Sequence, residues 1–217
     1  ELVDYADANV PYFPPGGGWH YSNTNTVILG MIVEEVTGRS IGEEITDRII
    51  RPLGLGGTSY PTTPDMPVPF VHGYGFDPIE DISFTDPSSS AGSGAMISKL
   101  HDLKKWGVAL GSGTLLSEEL QAERIASLQP IVFDPCDDDD PERPKRSCPE
   151  YDEYGMGIGE LSGWIGHTGE YVGYTNLVMY EPESGSVVVI IANRFGVGAH
   201  VPTAIFKDFA AILNPEL

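Results

Sequence analysis

Residues 154–193 read YGMGIGELSGWIGHTGEYVGYTNLVMYEPESGSVVVIIAN. Three pieces of this string, YGMGIGEL (154–161), YTNLVMY (174–180) and SVVVIIAN (186–193), are short and carry the β-branched and aromatic side chains that suit a pleated surface. They are expected to be strands. The link EPESG (181–185) puts Pro and Gly between two such runs, the composition of a hairpin turn. His167-Thr168-Gly169, in the remaining piece GWIGHTGEYVGY, is not counted among these strands and has a plain reading as a turn ahead of one, beside a functional reading. VPTAIFKDFAAIL (201–213) follows as a helix able to cover one sheet face. The expected fold class is α+β: a helical lobe plus an antiparallel sheet covered by a C-terminal helix.

Upstream the spacing becomes helical. In TVILGMIVEEV, apolar side chains at Val27, Ile28, Met31, Ile32 and Val36 recur at helical intervals. Leu29 and Val33 extend the apolar surface, so this helix is expected to be buried on most sides. Asn23 or Thr24 would cap its start, and Gly38 would end it in a left-handed conformation. Ser40 and Glu43 stand at capping-box spacing and open a helix to about Ile50. Residues 60–95, rich in Pro, Gly and Ser, are expected to be loops. Ser98 would cap a helix with Leu100, Leu103, Gly107 and Leu110 on one face, and Ser117 would cap another. Three segments result: a mainly helical lobe (1–133), an acidic Cys-bounded insertion (134–153), and strands with a final helix (154–217).

Charge narrows the partners. Twelve basic against 32 acidic residues give a net charge of −20, a field that repels nucleic acid and anionic membranes. No apolar run approaches the roughly 18 residues that span a bilayer. The insertion holds nine acidic and three basic side chains, a net of −6, and is expected to be solvated. Cys136 and Cys148 within it favour a local disulfide over free thiols or a metal pair, which implies an oxidising compartment. The chain starts at Glu1, without an initiator methionine, so it is read as part of a longer or processed protein.

Familiar chemistries are not spelled out. The five histidines (20, 72, 101, 167, 200) never fall at metal-ligand spacing, and neither a phosphate loop nor a GxSxG nucleophile elbow is formed. Two polar strings remain. Tyr21-Ser22-Asn23 stands at the mouth of the first long helix, where residues two apart in an extended segment project to one side. His167-Thr168-Gly169 offers a titratable ring, a hydroxyl, and a glycine that lets a ligand backbone lie along a strand edge.

YSNTNTVILGMIVEEVTG, RPLGLGGTSY, AGSGAMISKLHDL and GHTGEYVGYTNLVMYEPESG, in this order, closely resemble the serine β-lactamase and penicillin-binding protein superfamily. The branch resembled comprises D-alanyl-D-alanine carboxypeptidases, class C β-lactamases and related esterases. The resemblance covers nearly the whole chain except the Cys-bounded insertion. It implies a serine acyl-transfer hydrolase working through an acyl-enzyme, without metal or organic cofactor, on peptidoglycan peptides, β-lactams or small esters. It also implies an exported bacterial protein of the cell envelope or extracellular space.

Residue by residue, the resemblance makes Tyr21 the phenol that moves the serine proton and Asn23 the holder of the substrate amide. His167 stands where relatives have lysine, Thr168 would bind the substrate carboxylate with Gly169 also at the substrate, and the Glu170 N–H would be an oxyanion donor. One element of the family pattern is missing: no serine here has a lysine three residues on. Nucleophile, lysine and first strands are therefore expected outside this chain. The partner would be that N-terminal part or, failing it, a second copy. The alternative reading is a non-catalytic ligand-binding or regulatory protein on the same fold.

Overall fold

The computed structural model describes residues 2–8, 10, 11, 13–76, 78–131, 151–196 and 200–213. Cys136, Cys148 and the expected disulfide lie outside the described residues.

Local sequence signals place the helices. After α1 (Leu2–Asp7), α2 runs Asn23–Thr37 and stops at Gly38, whose φ of 68° is the left-handed cap that glycine tolerates. In α3 (Ile41–Ile45), which continues as a π-helical turn over Thr46–Ile50, the expected capping box is present. The Ser40 hydroxyl accepts from the Glu43 N–H, and the Glu43 carboxylate accepts from the Ser40 N–H. Ser117 likewise caps α5 (Glu118–Ala126) by accepting from the Leu120 N–H. Helix α4 (Leu100–Ser112) departs from expectation at its start. Lys99, not Ser98, precedes it, and the Ser98 hydroxyl pairs with Thr58 at 2.8 Å. Leu100 consequently sits on an exposed first turn, while Gly107 and Leu110 are buried. Residues 60–95 are mostly irregular, apart from β1 (Tyr74–Gly75), β2 (Glu80–Asp81) and two 3₁₀ turns.

Helix α2 corrects a sequence expectation. Ile28, Leu29, Met31, Ile32 and Val36 are exposed, and Gly30 is its one buried residue. Within this chain its main neighbours are α1, α3 and the 3₁₀ turn Ala91–Ser93, which cover one side only. Periodicity shows what a helix offers for burial, whereas burial itself depends on what packs against it.

The sheet is a six-stranded antiparallel meander in chain order: β3 (Gln129–Pro130), β4 (Glu153–Tyr154), β5 (Gly159–Leu161), β6 (Trp164–Tyr171), β7 (Tyr174–Tyr180) and β8 (Val187–Ala192). The hairpin over EPESG is present, with Tyr180 opposite Val187. Strand β6 was not expected; the stretch assigned to a turn is the longest strand, with His167-Thr168-Gly169 inside it. Its glycines hide the strand signature, yet the sheet requires one of them. A Cβ on Gly166 would collide with the Val178 carbonyl oxygen across the β6–β7 ladder.

Two cores flank the sheet. On one face, α6 (Val201–Leu213) joins Phe206 and Ala210 to Leu161, Trp164, Leu177 and Met179. Trp164 and Phe206 meet edge-on, ring centroids 5.6 Å apart, a geometry worth about 0.5–1.5 kcal/mol beyond area burial. On the other face, Leu110, Ile158 and Ile165 pack with Trp106, Ile125, Leu128 and Tyr180 beneath α4 and α5. Helix α4 lies close to β7 and β8 because Gly107 and Gly111 present no side chain there. This packing sets the segment before α2 against the exposed run of β6.

Candidate active site

Strand pairing creates the site. β5 pairs with β6 only from Trp164 to Gly166, so beyond that point the β6 edge has no β5 partner. Tyr151 and Tyr154, which come just before β5, reach across to the start of that free edge. Each takes one residue of the motif.

Tyr154 takes His167: its hydroxyl lies 3.0 Å from Nε2. The other ring nitrogen, Nδ1, bonds the Thr168 carbonyl, which can only accept, so Nδ1 carries a proton. Burial pushes the imidazole below its ordinary range, the carbonyl bond opposes this, and the positive charge of Arg124 adds to the lowering. The ring is therefore neutral near pH 7, and its Nε2 is an acceptor. Burial pushes the Tyr154 phenol well above its ordinary range, with neighbouring Tyr21 and Tyr151 reinforcing the shift, so it stays protonated and donates.

Tyr151 takes Thr168. Its oxygen accepts from the Thr168 N–H at 2.6 Å and lies 2.9 Å from Oγ1. Tyr151 is 7% exposed, packed in the α6-side core, and its phenol is likewise raised by burial. The Thr168 hydroxyl, expected to face substrate, thus has a buried protein partner.

Tyr21 arrives from the segment ahead of α2. Its ring is edge-on to Tyr154, centroids 5.7 Å apart, and 6.0 Å from the His167 ring. Trp19, from the same segment, lies tilted against Tyr154 with ring centroids 5.6 Å apart. Two strings from opposite ends of the chain therefore share one aromatic cluster. Burial raises the Tyr21 phenol too, so this group, protonated at neutral pH in any case, gives up its proton less readily. Asn23, the first residue of α2, is exposed at the rim.

The rest of the motif strand faces outward. Glu170 is exposed opposite Thr175. Gly169 lies opposite Asn176, whose amide occupies the space a side chain would need; the absent Cβ here serves packing with Asn176. The Gly169 carbonyl accepts from His200 Nε2 at 3.1 Å, while His200 Nδ1 accepts from Thr203 at the start of α6. Beyond Asn176 a largely apolar cavity of about 380 Å³ opens between the helical lobe and the sheet, lined by Ile45, Ile49, Leu103, Trp106 and Ile191. Sequence reasoning missed Tyr151, Tyr154 and His200. The pair of tyrosines three apart ahead of a strand was visible, but its register against β6 was not.

Chemically the site offers protonated phenols, a neutral imidazole and a stretch of strand edge. It can pass protons and position a peptide-like substrate.

Comparison with known proteins finds the same fold. A D-stereospecific amidohydrolase from Streptomyces sp. superposes with a TM-score of 0.77 at 31% identity, over 98% of this chain and 59% of that one. A D-amino acid amidase from Ochrobactrum anthropi SV3, solved with D-phenylalanine, gives a TM-score of 0.80 at 23% identity, over 99% and 62%. Penicillin-binding protein 4* of Bacillus subtilis is 22% identical over 203 residues, 84% of this chain and 41% of that protein. The chain thus spans about two fifths to three fifths of these relatives' lengths. The β-lactamase family profile matches residues 1–211, and the chain belongs to that family, within the serine β-lactamase and penicillin-binding superfamily.

Proposed function

We propose that these residues form the proton-handling and substrate-positioning wall of a serine acyl-transfer hydrolase whose nucleophile lies outside residues 1–217. The observation that carries this is the meeting of Tyr21 with His167 and Tyr154 in one half-buried cluster. An acyl-enzyme needs a serine beside a base, and none of the chain's serines has a lysine three residues on. In this reading Tyr21 relays the serine proton to the leaving group, Asn23 orients the substrate amide, and the Glu170 N–H supports the oxyanion. Thr168 shapes the strand edge through its bond to Tyr151.

Among D-Ala-D-Ala peptides, β-lactams and small amides or esters, the neutral His167 favours substrates whose leaving end is uncharged. A carboxylate there would meet no imidazolium, and the chain's net charge of −20 works against it. Similarity to the D-stereospecific amidohydrolase supports the amide class. The Cys136–Cys148 pair in the sequence supports a location in the cell envelope or outside the cell.

The test uses a chromogenic cephalosporin and D-phenylalanine amide, each with residues 1–217 and with the whole protein, read by intact mass and turnover. The whole protein should yield a stoichiometric adduct on a serine outside this chain, and residues 1–217 none. An adduct on a serine of this chain would overturn the placement of the nucleophile. No adduct and no turnover from the whole protein would favour the alternative, a ligand-binding or regulatory cleft.

A further inference from the structure

We propose that Tyr154 is a positioning residue of the acyl-transfer site, holding His167 as a neutral, single-tautomer hydrogen-bond acceptor. The proposal rests on the hydrolase reading for its functional meaning, but its geometry stands alone. The two nitrogens of His167 are held from opposite sides. Nδ1–H donates to the Thr168 carbonyl, and Nε2 receives the Tyr154 hydroxyl at 3.0 Å. A carbonyl cannot donate, so the first bond fixes which nitrogen carries the proton; the second then satisfies the remaining lone pair.

Tyr154 is itself held in place. It lies in β4, opposite Gly159 of β5, so the sheet ladder sets its backbone. Its ring contacts Trp19, Tyr21, Tyr151 and His167, with centroids 5.4–5.8 Å apart. This makes it the aromatic hub between the two motifs. The groups facing the His167 ring are thus three phenols, from the segment before α2 (Tyr21), from beside β4 (Tyr151) and from β4 (Tyr154). Arg124 of α5 adds a positive charge, and among the described residues no carboxylate acts on the ring. None of these groups supplies the negative charge that would favour an imidazolium.

The consequence for chemistry is specific. Where relatives of this family pattern present a lysine ammonium, this site presents a ring that brings no charge, with Nε2 already engaged. A proton taken up at Nε2 must break the bond from Tyr154 or reverse it, so Tyr154 controls access to the ring's only basic atom. The bond from the phenol exists only with the neutral ring, so removing it should move His167 titration upward, toward the free imidazole.

The experiment follows the His167 ring nitrogens by ¹⁵N NMR from pH 8 to 5, in wild type and Tyr154→Phe. In wild type, Nδ1 should be protonated and Nε2 unprotonated throughout the neutral range, with titration below about 6.5. In Tyr154→Phe the titration should move up, or the second tautomer should appear. An Nε2-protonated tautomer in wild type, or ring signals unchanged in Tyr154→Phe, would overturn the proposal. The wild-type measurement decides the tautomer even if the variant fails to fold.

In the whole enzyme, Tyr154→Phe should lower kcat/KM about ten- to a hundred-fold, the range expected for a displaced reacting group, and shift the acid limb of its pH profile. Tyr151→Phe, which leaves His167 bonded, should keep that limb in place. Superimposed limbs for wild type and Tyr154→Phe would remove Tyr154 from the reaction. Inactivity of the whole wild-type enzyme would instead count against the hydrolase reading, and the NMR result would stand regardless.

Discussion

Replacing Tyr151 by Phe removes one oxygen and little else. The ring keeps its contacts with Tyr154 and His167 and its place over Gly159, so no cavity opens. What is lost is the partner of the Thr168 N–H, at 2.6 Å, and of the Thr168 hydroxyl, at 2.9 Å. The hydroxyl can rotate to another acceptor, but the backbone N–H is fixed on the β6 edge beyond the last β5 pair. A buried donor left without its partner costs about 1–3 kcal/mol, so the loss should be about 2 kcal/mol. For a chain of this size that corresponds to roughly 4–8 °C in Tm. The measurement is urea unfolding of wild type, Tyr151→Phe, Thr168→Val and the double variant. Both single changes break the Tyr151–Thr168 hydroxyl pair, whereas the Thr168 N–H keeps its acceptor in Thr168→Val, so any coupling in the cycle, about 0.5–3 kcal/mol, reports the hydroxyl pair alone. A Tyr151→Phe loss below about 0.5 kcal/mol, within the ordinary scatter of surface substitutions, would refute the clamp on the Thr168 N–H.

Two further expectations concern the same packing. His167 titrates lower in the folded chain than unfolded, so the unfolded state binds the extra proton first; stability attributable to this residue should be full above about pH 6.5. It should decline as pH falls below that value, at up to about 1.4 kcal/mol per pH unit, and level off beneath the folded pKa. Urea midpoints against pH for wild type and His167→Gln would show it, and parallel curves between pH 7 and 5 would refute it. Gly111→Ala places a Cβ inside the Tyr180 ring and should force α4 off the sheet at a cost of about 1–3 kcal/mol, read as a lower thermal midpoint; an unchanged midpoint would mean that α4 does not lie as close to β7 as described.

What could be read in advance came from interactions that close over three or four residues. Ser40 with Glu43, Ser117 with the Leu120 N–H, Gly38 at a left-handed cap and the EPESG hairpin all involve near neighbours in the chain, and all are present. The amphipathic C-terminal helix is of the same kind, since spacing alone defines its apolar face. The order and flanking text of the polar strings also pointed to Tyr21 and His167 as parts of one site.

Register and packing decided the rest, because they depend on residues far apart in sequence. Strand β6 escaped notice since glycines carry no alternation, and only the approach of Val178 shows why Gly166 must be one. The apolar repeat of α2 was visible, yet its exposure followed from which elements pack beside it. Tyr151 and Tyr154 gained their partners through the β4–β5–β6 ladder, which carries them to a strand edge more than ten residues further along the chain. The sequence by itself determined which groups were available and which local turns and caps they would form. Tertiary structure decided which of them were packed together, and that burial shifts His167 and the three phenols further toward their neutral forms.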